Sequence, residues 1–251
     1  MTQHLYILTG ASRGMGAAMA AQLIQPGNTL LCISRKTNDV LAAQASAAGV
    51  RLEQWSQDLA QGEQAAHRLA QWLEGQAASA FASAALINNA GVIAHITPLS
   101  EAQPADLSNT LRVGLEAPMQ LTAAFLHTTE NWPVPRKVLN ISSGLGRRAM
   151  ASQAAYCAAK AGMDHFTRCL ALDEARKANG AKVCSLAPGV IDTDMQLQLR
   201  NADAAAFPDR GNFQGLKDKG QLTSPEEAAS KLLGYLARAE FGSNPVADVR
   251  D

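Results

Sequence analysis

Tyr156 and Lys160 stand four residues apart in the stretch AAYCAAKAGMDHF, residues 154–166. On a helix that spacing puts both side chains on one face. A phenol titrates near ~10 and is a poor acid or base at neutral pH, but an ammonium beside it favours the phenolate. The pair therefore predicts a proton donor with its electrostatic tuner, Lys160 lowering the pKa of Tyr156. Ser143 stands thirteen residues earlier, at the end of the apolar run KVLNISS. If that run is a strand of a parallel sheet, Ser143 lies on the edge where ligands bind, and its hydroxyl can hydrogen-bond a carbonyl oxygen. Alone, Tyr-x-x-x-Lys is a weak signal, because a surface tyrosine covered by a lysine stem has the same spacing.

A second cluster lies near the start of the chain. The stretch YILTGASRGMG, residues 6–16, places Gly10, Gly14 and Gly16 directly after a short apolar run. In a strand, glycine turn and helix arranged this way, backbone N–H groups at the helix start face a phosphate, and absent side chains leave room for it. A tight connection before a helix is the alternative. About 20 residues further on, an acidic side chain normally selects NAD and a basic one suits the 2′-phosphate of NADP. Here the chain reads Ser34, Arg35 and Lys36 with no carboxylate. With Arg13 in the turn, two arginines offer charge-assisted, forked hydrogen bonds to one phosphate, so NADP(H) is the expected cofactor. Otherwise Arg35 and Lys36 are solvated loop charges.

Such side chains need a scaffold, and the hydropathy pattern supplies one. Short β-type runs at 5–8, 29–34, 50–55, 85–88, 137–142 and 181–186 alternate with alanine-rich stretches of helical periodicity, such as 17–25 and 154–178. This predicts an α/β fold, a doubly wound parallel sheet with helices on both faces, as one domain over 1–251. The 251 residues carry 22 basic and 22 acidic side chains, which gives no electrostatic footprint for nucleic acid or an anionic membrane. No basic segment with a long apolar stretch opens the chain and no run of ~18 apolar residues occurs, which predicts a cytoplasmic protein without a membrane span. Cys32, Cys157, Cys169 and Cys184 lack CxxC spacing and the five histidines are dispersed, so no metal site is expected.

Taken together, TGASRGMG at 9–16, NNAG at 88–91, Ser143, YCAAK at 156–160 and APGVIDTDM at 187–195 resemble the short-chain dehydrogenase/reductase family in order and spacing over essentially the whole chain. The resemblance implies a Rossmann-type domain with a seven-stranded parallel sheet, acting as an NADP-dependent oxidoreductase on CH–OH and C=O groups. It implies that Gly10, Ser12, Arg13, Gly14, Met15 and Gly16 wrap the cofactor's phosphates, with Ser34 and Arg35 at the 2′-phosphate. Asp58 and Leu59 are implied at the adenine, and Asn89, Ala90 and Gly91 at the adenosine ribose. Pro188, Gly189, Ile191, Thr193 and Met195 are implied to hold the nicotinamide, and Tyr156 and Lys160 its ribose. Ser143, Tyr156 and Lys160 are the implied catalytic set, and Ser143, Gly144, Tyr156 and Gly189 the implied substrate contacts. Asp192–Asp194 also read as a helix N-cap, which can coexist with the cofactor role.

Towards the C-terminus the segments FQGLKDKGQL and EFGSNPVADVRD resemble the sepiapterin reductases and the bacterial reductases of vicinal diketones such as benzil. By that resemblance Asp248 holds the substrate; otherwise it is a solvated carboxylate. Residues 195–224 read equally as a substrate lid, with Leu197, Leu199, Phe207 and Phe213 as an apolar ceiling, or as a peripheral loop with a hydrophobic anchor. One departure is Gly114 in RVGLEAP, where the family usually has an asparagine that helps hold a proton-relay water. Glycine there forfeits the amide and costs a helix roughly 1 kcal/mol relative to alanine. The implied activity is NADPH-dependent reduction of a small-molecule ketone. The alternatives are a reductase of another carbonyl, such as a ketoacyl thioester, and an NADP(H)-binding sensor or scaffold with little turnover. The family usually forms dimers or tetramers, so a homodimer or homotetramer is implied.

Overall fold

Parallel strands alternate with helices through residues 3–250, the part of the chain described by the computed structural model. In chain order the elements are β1 (Gln3–Thr9), α1 (Gly14–Leu23), β2 (Asn28–Ser34), α2 (Asp39–Ala48), β3 (Arg51–Ser56), α3 (Gly62–Glu74), β4 (Phe81–Asn88), α4 (Pro104–Leu111), α5 (Ala117–Thr128), β5 (Arg136–Ile141), α6 (Ala154–Glu174), β6 (Lys182–Ala187), α7 (Asp194–Arg200), α8 (Arg210–Asp218), α9 (Pro225–Ala237) and β7 (Val246–Asp248). The seven strands form one sheet in the order β3-β2-β1-β4-β5-β6-β7, every neighbouring pair parallel. The expected single-domain, doubly wound Rossmann-type fold is the one observed.

The central strands are near-continuous apolar runs because helices cover both of their faces. On one face Leu30, Leu139 and Leu186 pack with Met19 of α1, Leu41 of α2 and Leu232 of α9. On the other, Leu5, Ile7 and Leu86 pack with Leu69 and Leu73 of α3 and Leu121 and Phe125 of α5. Each such side chain contributes ~1.5–3 kcal/mol on full burial. Helix ends are set by local chemistry. Asn38 caps α2, its Oδ1 accepting from Val40 N at 3.0 Å and Leu41 N at 3.2 Å. Ser224 caps α9 through Glu227 N at 3.1 Å, with Pro225 in the first turn.

Three local differences from the expected pattern matter for the site. Helix α1 begins at Gly14, not Ala17, so its free N–H groups lie inside the glycine turn. Helix α6 stops at Glu174 rather than continuing to Ala178, because the Glu174 carboxylate accepts from Ala181 N at 2.8 Å and folds the chain back into β6. Between α4 and α5, Arg112–Glu116 form a π-turn. Gly114 therefore sits in an already interrupted hydrogen-bond ladder, not in a regular helix interior. It is buried, and a methyl group built on it would lie 3.1 Å from Ala159 Cβ of α6, so its absence lets the π-turn approach that helix.

Candidate active site

The strand order reverses between β1 and β4, where the loops leaving the two strands diverge and open a crevice at the carboxyl end of the sheet. The glycine turn fills one lip of this crevice and residues 89–91 the other. Side-chain and backbone bonds lock the two lips together. Thr9 Oγ1 accepts from Asn89 N at 2.9 Å and Ala90 N at 3.0 Å, while Asn89 Nδ2 donates to Thr9 O at 2.9 Å and Gly10 O at 3.2 Å. A Cβ on Gly10 would meet Ala90 Cα at 2.9 Å, and one on Gly16 would meet Gly10 O at 2.0 Å. The expectation that these glycines make room for an anion is thus corrected: Gly10 and Gly16 make room for protein. Gly14 is different. With φ +55° and nothing nearer than Thr193 Cγ2 at 3.9 Å, it leaves the helix start uncovered.

The outer rim carries the predicted cations. Ser34 is buried, and its hydroxyl accepts from Ala11 N at 2.8 Å, which holds the turn. Arg35 and Lys36 are exposed beside it. Asn38, which sequence reasoning missed, donates from Nδ2 to Ser12 O at 3.1 Å and so ties the loop after β2 to the turn. Asp58 caps a short 3₁₀ turn through Ala60 N at 2.9 Å, beside buried Leu59. Across the crevice, Gly189 has φ +84° with open space where a side chain would stand. Ile191 is bridged to Thr223. Thr193 occupies the N-cap position of α7, but its hydroxyl makes no capping bond, so the side-chain cap predicted for 192–194 is absent. Arg13 is ion-paired with Asp194 across the mouth; both side chains are largely exposed.

Beneath the rim lies a buried floor. Residues 141 to 143 at the end of β5 face one side of α6. The Ile141 carbonyl accepts from Lys160 Nζ at 2.7 Å, and Ser142 donates to Asp164 Oδ1 at 2.6 Å. Ser143 caps a short turn by accepting from Leu145 N at 3.2 Å. Tyr156 is half-buried, and Lys160 is only 4% exposed. Lys160 Nζ lies 5.8 Å from the Tyr156 ring centre and close to Gly91, whose missing Cβ would be 3.9 Å away. One level deeper, Asn88 Nδ2 donates to Asn140 Oδ1 at 2.8 Å and to Thr122 Oγ1 at 3.1 Å, and Asn140 Nδ2 donates to Thr167 Oγ1 at 2.9 Å. This amide chain ties β4, β5, α5 and α6 together.

The electrostatics differ from the expectation of a phenol acidified by its lysine. Burial raises the Tyr156 pKa above the ordinary tyrosine value, and the hydrogen-bonding contact with Ser143 pulls it back only partly. Burial brings Lys160 down to about 8, against the upward pull of the Asp164 carboxylate. Taking both groups out of water favours their neutral forms.

The profile of the short chain dehydrogenase family matches residues 4–204, a span that contains the glycine turn, Ser143, the Tyr156–Lys160 pair and the 188–195 segment. The chain belongs to that family. It is 35% identical over 240 residues to the benzil reductase ((S)-benzoin forming) of Bacillus cereus, covering 96% of each chain. To the sepiapterin reductase of Xenopus tropicalis it is 33% identical over 261 residues, covering 98% of this chain and 96% of the relative. A solved short-chain dehydrogenase/reductase from Burkholderia vietnamiensis superimposes with a TM-score of 0.63 at 33% identity, covering 99% of this chain and 98% of that one.

In this short-chain dehydrogenase, 195–224 folds into α7 and α8 and docks on the loop after β4. Leu199 and Phe207 are buried with Ile96, and Ile93, Met150 and Phe213 pack around them. Leu197 stays exposed. Of the four apolar residues expected as a ceiling, three therefore belong to an anchor. Ser152, in a left-handed conformation with φ +59°, donates to Ala206 O at 2.5 Å, and Asp192 pairs with Lys217 at 2.6 Å, so the segment is tied at both flanks. Asp248 ends β7 beside Ala187 and is 7% exposed, which excludes the solvated alternative. Arg250 forks it, Nε at 2.7 Å from Oδ1 and Nη2 at 2.6 Å from Oδ2, and this fork holds its carboxyl below the usual range. No helix among the described residues is long and apolar enough to cross a membrane.

Proposed function

We propose that this short-chain dehydrogenase is an NADPH-dependent carbonyl reductase acting on a ketone flanked by a second oxygen, as in a vicinal diketone. The observation that carries the reading is the convergence of Ser143, Tyr156 and Lys160 at the end of β5 beneath an open glycine turn rimmed by Arg13, Arg35 and Lys36. The cradle suits the coenzyme: Gly14 and Gly189 leave uncovered backbone across the crevice from one another, and the exposed cations supply charge that a 2′-phosphate could use. Arg35 and Arg13 would bind that phosphate, and Thr193 with Ile191 would flank the nicotinamide. When bound, NADPH supplies the hydride.

The chain's own groups do the rest. Ser143 and Tyr156 hydrogen-bond the carbonyl oxygen, where negative charge develops. Burial keeps the Tyr156 phenol protonated at neutral pH, so it is charged with a proton before substrate arrives, and it gives that proton to the forming alkoxide. Lys160, anchored by the Ile141 carbonyl and close to Gly91, stabilises the phenolate left behind and would hold the coenzyme's ribose. The similarity to benzil and sepiapterin reductases supports the substrate class.

The test follows NADPH absorbance with benzil, sepiapterin and a simple monoketone, in wild type and Tyr156→Phe. Turnover should favour the substrates with adjacent oxygens, and the variant should lose roughly 10²–10⁴-fold in rate while binding NADPH normally. An unchanged rate in the variant refutes the assignment. NADPH binding without reduction of any of these carbonyls would favour the sensor reading, to which Gly114 points.

A further inference from the structure

We propose that Asp164 is a positioning residue of this site, fixing the end of the serine strand and setting the charge of Lys160 from one helical turn below. The inference rests on the reductase reading. Tyr156, Lys160 and Asp164 follow one another at intervals of four on α6, so they form a single stripe facing the last residues of β5. Two members of the stripe meet successive residues at the end of the strand: Lys160 the Ile141 carbonyl and Asp164 the Ser142 hydroxyl. Asp164 reaches further, because Ser185 of β6 also donates to Oδ1, at 2.7 Å. Its side chain is 2% exposed, and its Oδ2, which makes no hydrogen bond among the described residues, lies 3.4 Å from Arg147 Nε.

A buried carboxylate with two hydroxyl donors and a distant arginine costs stability unless its charge is used. The groups facing it say where that charge acts. From α6 there is Lys160, and from the turn after β5 there is Arg147. From β6 come Ser185 and the buried Cys184 thiol, whose pKa burial pushes up to about 11. From β7, Asp248 reaches the cluster only through Arg147. Lys160 is thus the one buried cation in the group, and Arg147, one-third exposed, partly offsets the carboxylate. The upward pull of Asp164 on Lys160, against burial, is the electrostatic counterpart of this geometry. Ammonium at Lys160 is the form that stabilises a phenolate, so activity must fall as pH rises through its titration.

Three variants separate charge from position, each read by the pH dependence of kcat/KM and of NADPH affinity from fluorescence. Asp164→Asn keeps the shape and removes the charge, so the alkaline fall should begin about one unit lower in pH. Arg147→Gln removes the opposing cation, so the fall should move the other way, by a few tenths of a unit. Ser142→Ala keeps both charges, so the fall should stay in place while kcat drops several-fold. Shifts of opposite sign in the first two establish the role, because a merely structural residue moves neither limb. Coincident limbs in all three overturn it, and if Asp164→Asn does not fold, an unmoved limb in Arg147→Gln does so alone. The affinity profile decides the matter even without turnover. Loss of activity in Tyr156→Phe alongside coincident limbs sinks Asp164 only; full activity in Tyr156→Phe sinks the reductase reading.

Discussion

On the floor of the site three polar side chains are already held by protein: Lys160 by Ile141, Asp164 by Ser142 and Ser185, Asn88 by Asn140 and Thr122. At the rim Arg35 and Lys36 stand in water, and Arg13 is held only by another exposed side chain, Asp194. The contrast teaches how one cleft divides its work. Charges on the floor act in a low-dielectric setting and need no reorganisation when a substrate arrives, which makes them effective on a developing alkoxide. Charges at the rim are screened and mobile, suited to capture a phosphate from solution.

The largest expected effect lies on the floor, and it tests whether Lys160 carries the electrostatic load assigned to it. Lys160→Met should cost roughly two orders of magnitude or more in kcat/KM, because the phenolate formed on proton transfer loses its stabiliser. The same variant should change stability in the opposite sense. Lys160 titrates at about 8 when folded against 10.5 for an ordinary lysine. Between those values the unfolded chain binds more protons than the folded one, so folding becomes more favourable as pH rises, by at most about 1.4 kcal/mol per unit. The thiols of Cys32 and Cys184 and the phenols of Tyr6 and Tyr156, all raised by burial, reverse the trend once their unfolded counterparts ionise, which confines the window to about pH 8–9. Urea unfolding at pH 7.5 and 8.5 should show the rise in wild type and none in Lys160→Met. An equal rise in both would remove Lys160 as its source.

Next comes the rim. Arg35→Ser should raise KM for NADPH roughly ten- to hundredfold and leave KM for NADH near its original value, since only the 2′-phosphate loses a charged hydrogen-bonding partner. Parallel losses with both coenzymes would mean that Arg35 supports the loop and not the phosphate.

The two regions also differed in how far they could be read from the chain. Ser143, Tyr156 and Lys160 were legible because a strand end and an i, i+4 pair are local patterns, and six of the strands announced themselves as apolar runs. The seventh, Val246–Asp248, has three residues and no periodicity to detect. Thr9, whose hydroxyl binds the backbone of Asn89 and Ala90 eighty residues on, leaves no trace in its own neighbourhood. The same holds for Asp164, whose partners Ser142 and Ser185 are brought to it by two different strands. What single-chain reasoning misjudged was the sign of the electrostatics at Tyr156: spacing shows which charges are neighbours, but burial, which only the packed sheet reveals, decided the direction. Gly114 is a related case, since its packing against Ala159 depends on a π-turn that residue propensities do not encode.

The smallest effect concerns the pair that spans the mouth, and it sharpens the comparison most. Arg13 is engaged by Asp194, at the start of the helix that opens the 195–224 segment. A coenzyme phosphate that recruits Arg13 must break this contact, so Asp194 competes for the same guanidinium. Exposed ion pairs contribute little, and both side chains here are more than 60% exposed. Asp194→Asn should therefore tighten NADPH binding by no more than about threefold at low ionic strength, and the gain should vanish in high salt as the Debye length falls to ~3 Å. Fluorescence titrations at two salt concentrations measure it. A tenfold gain that persists in salt would show that the rim, like the floor, works out of water, and the division of labour between the two regions would no longer hold.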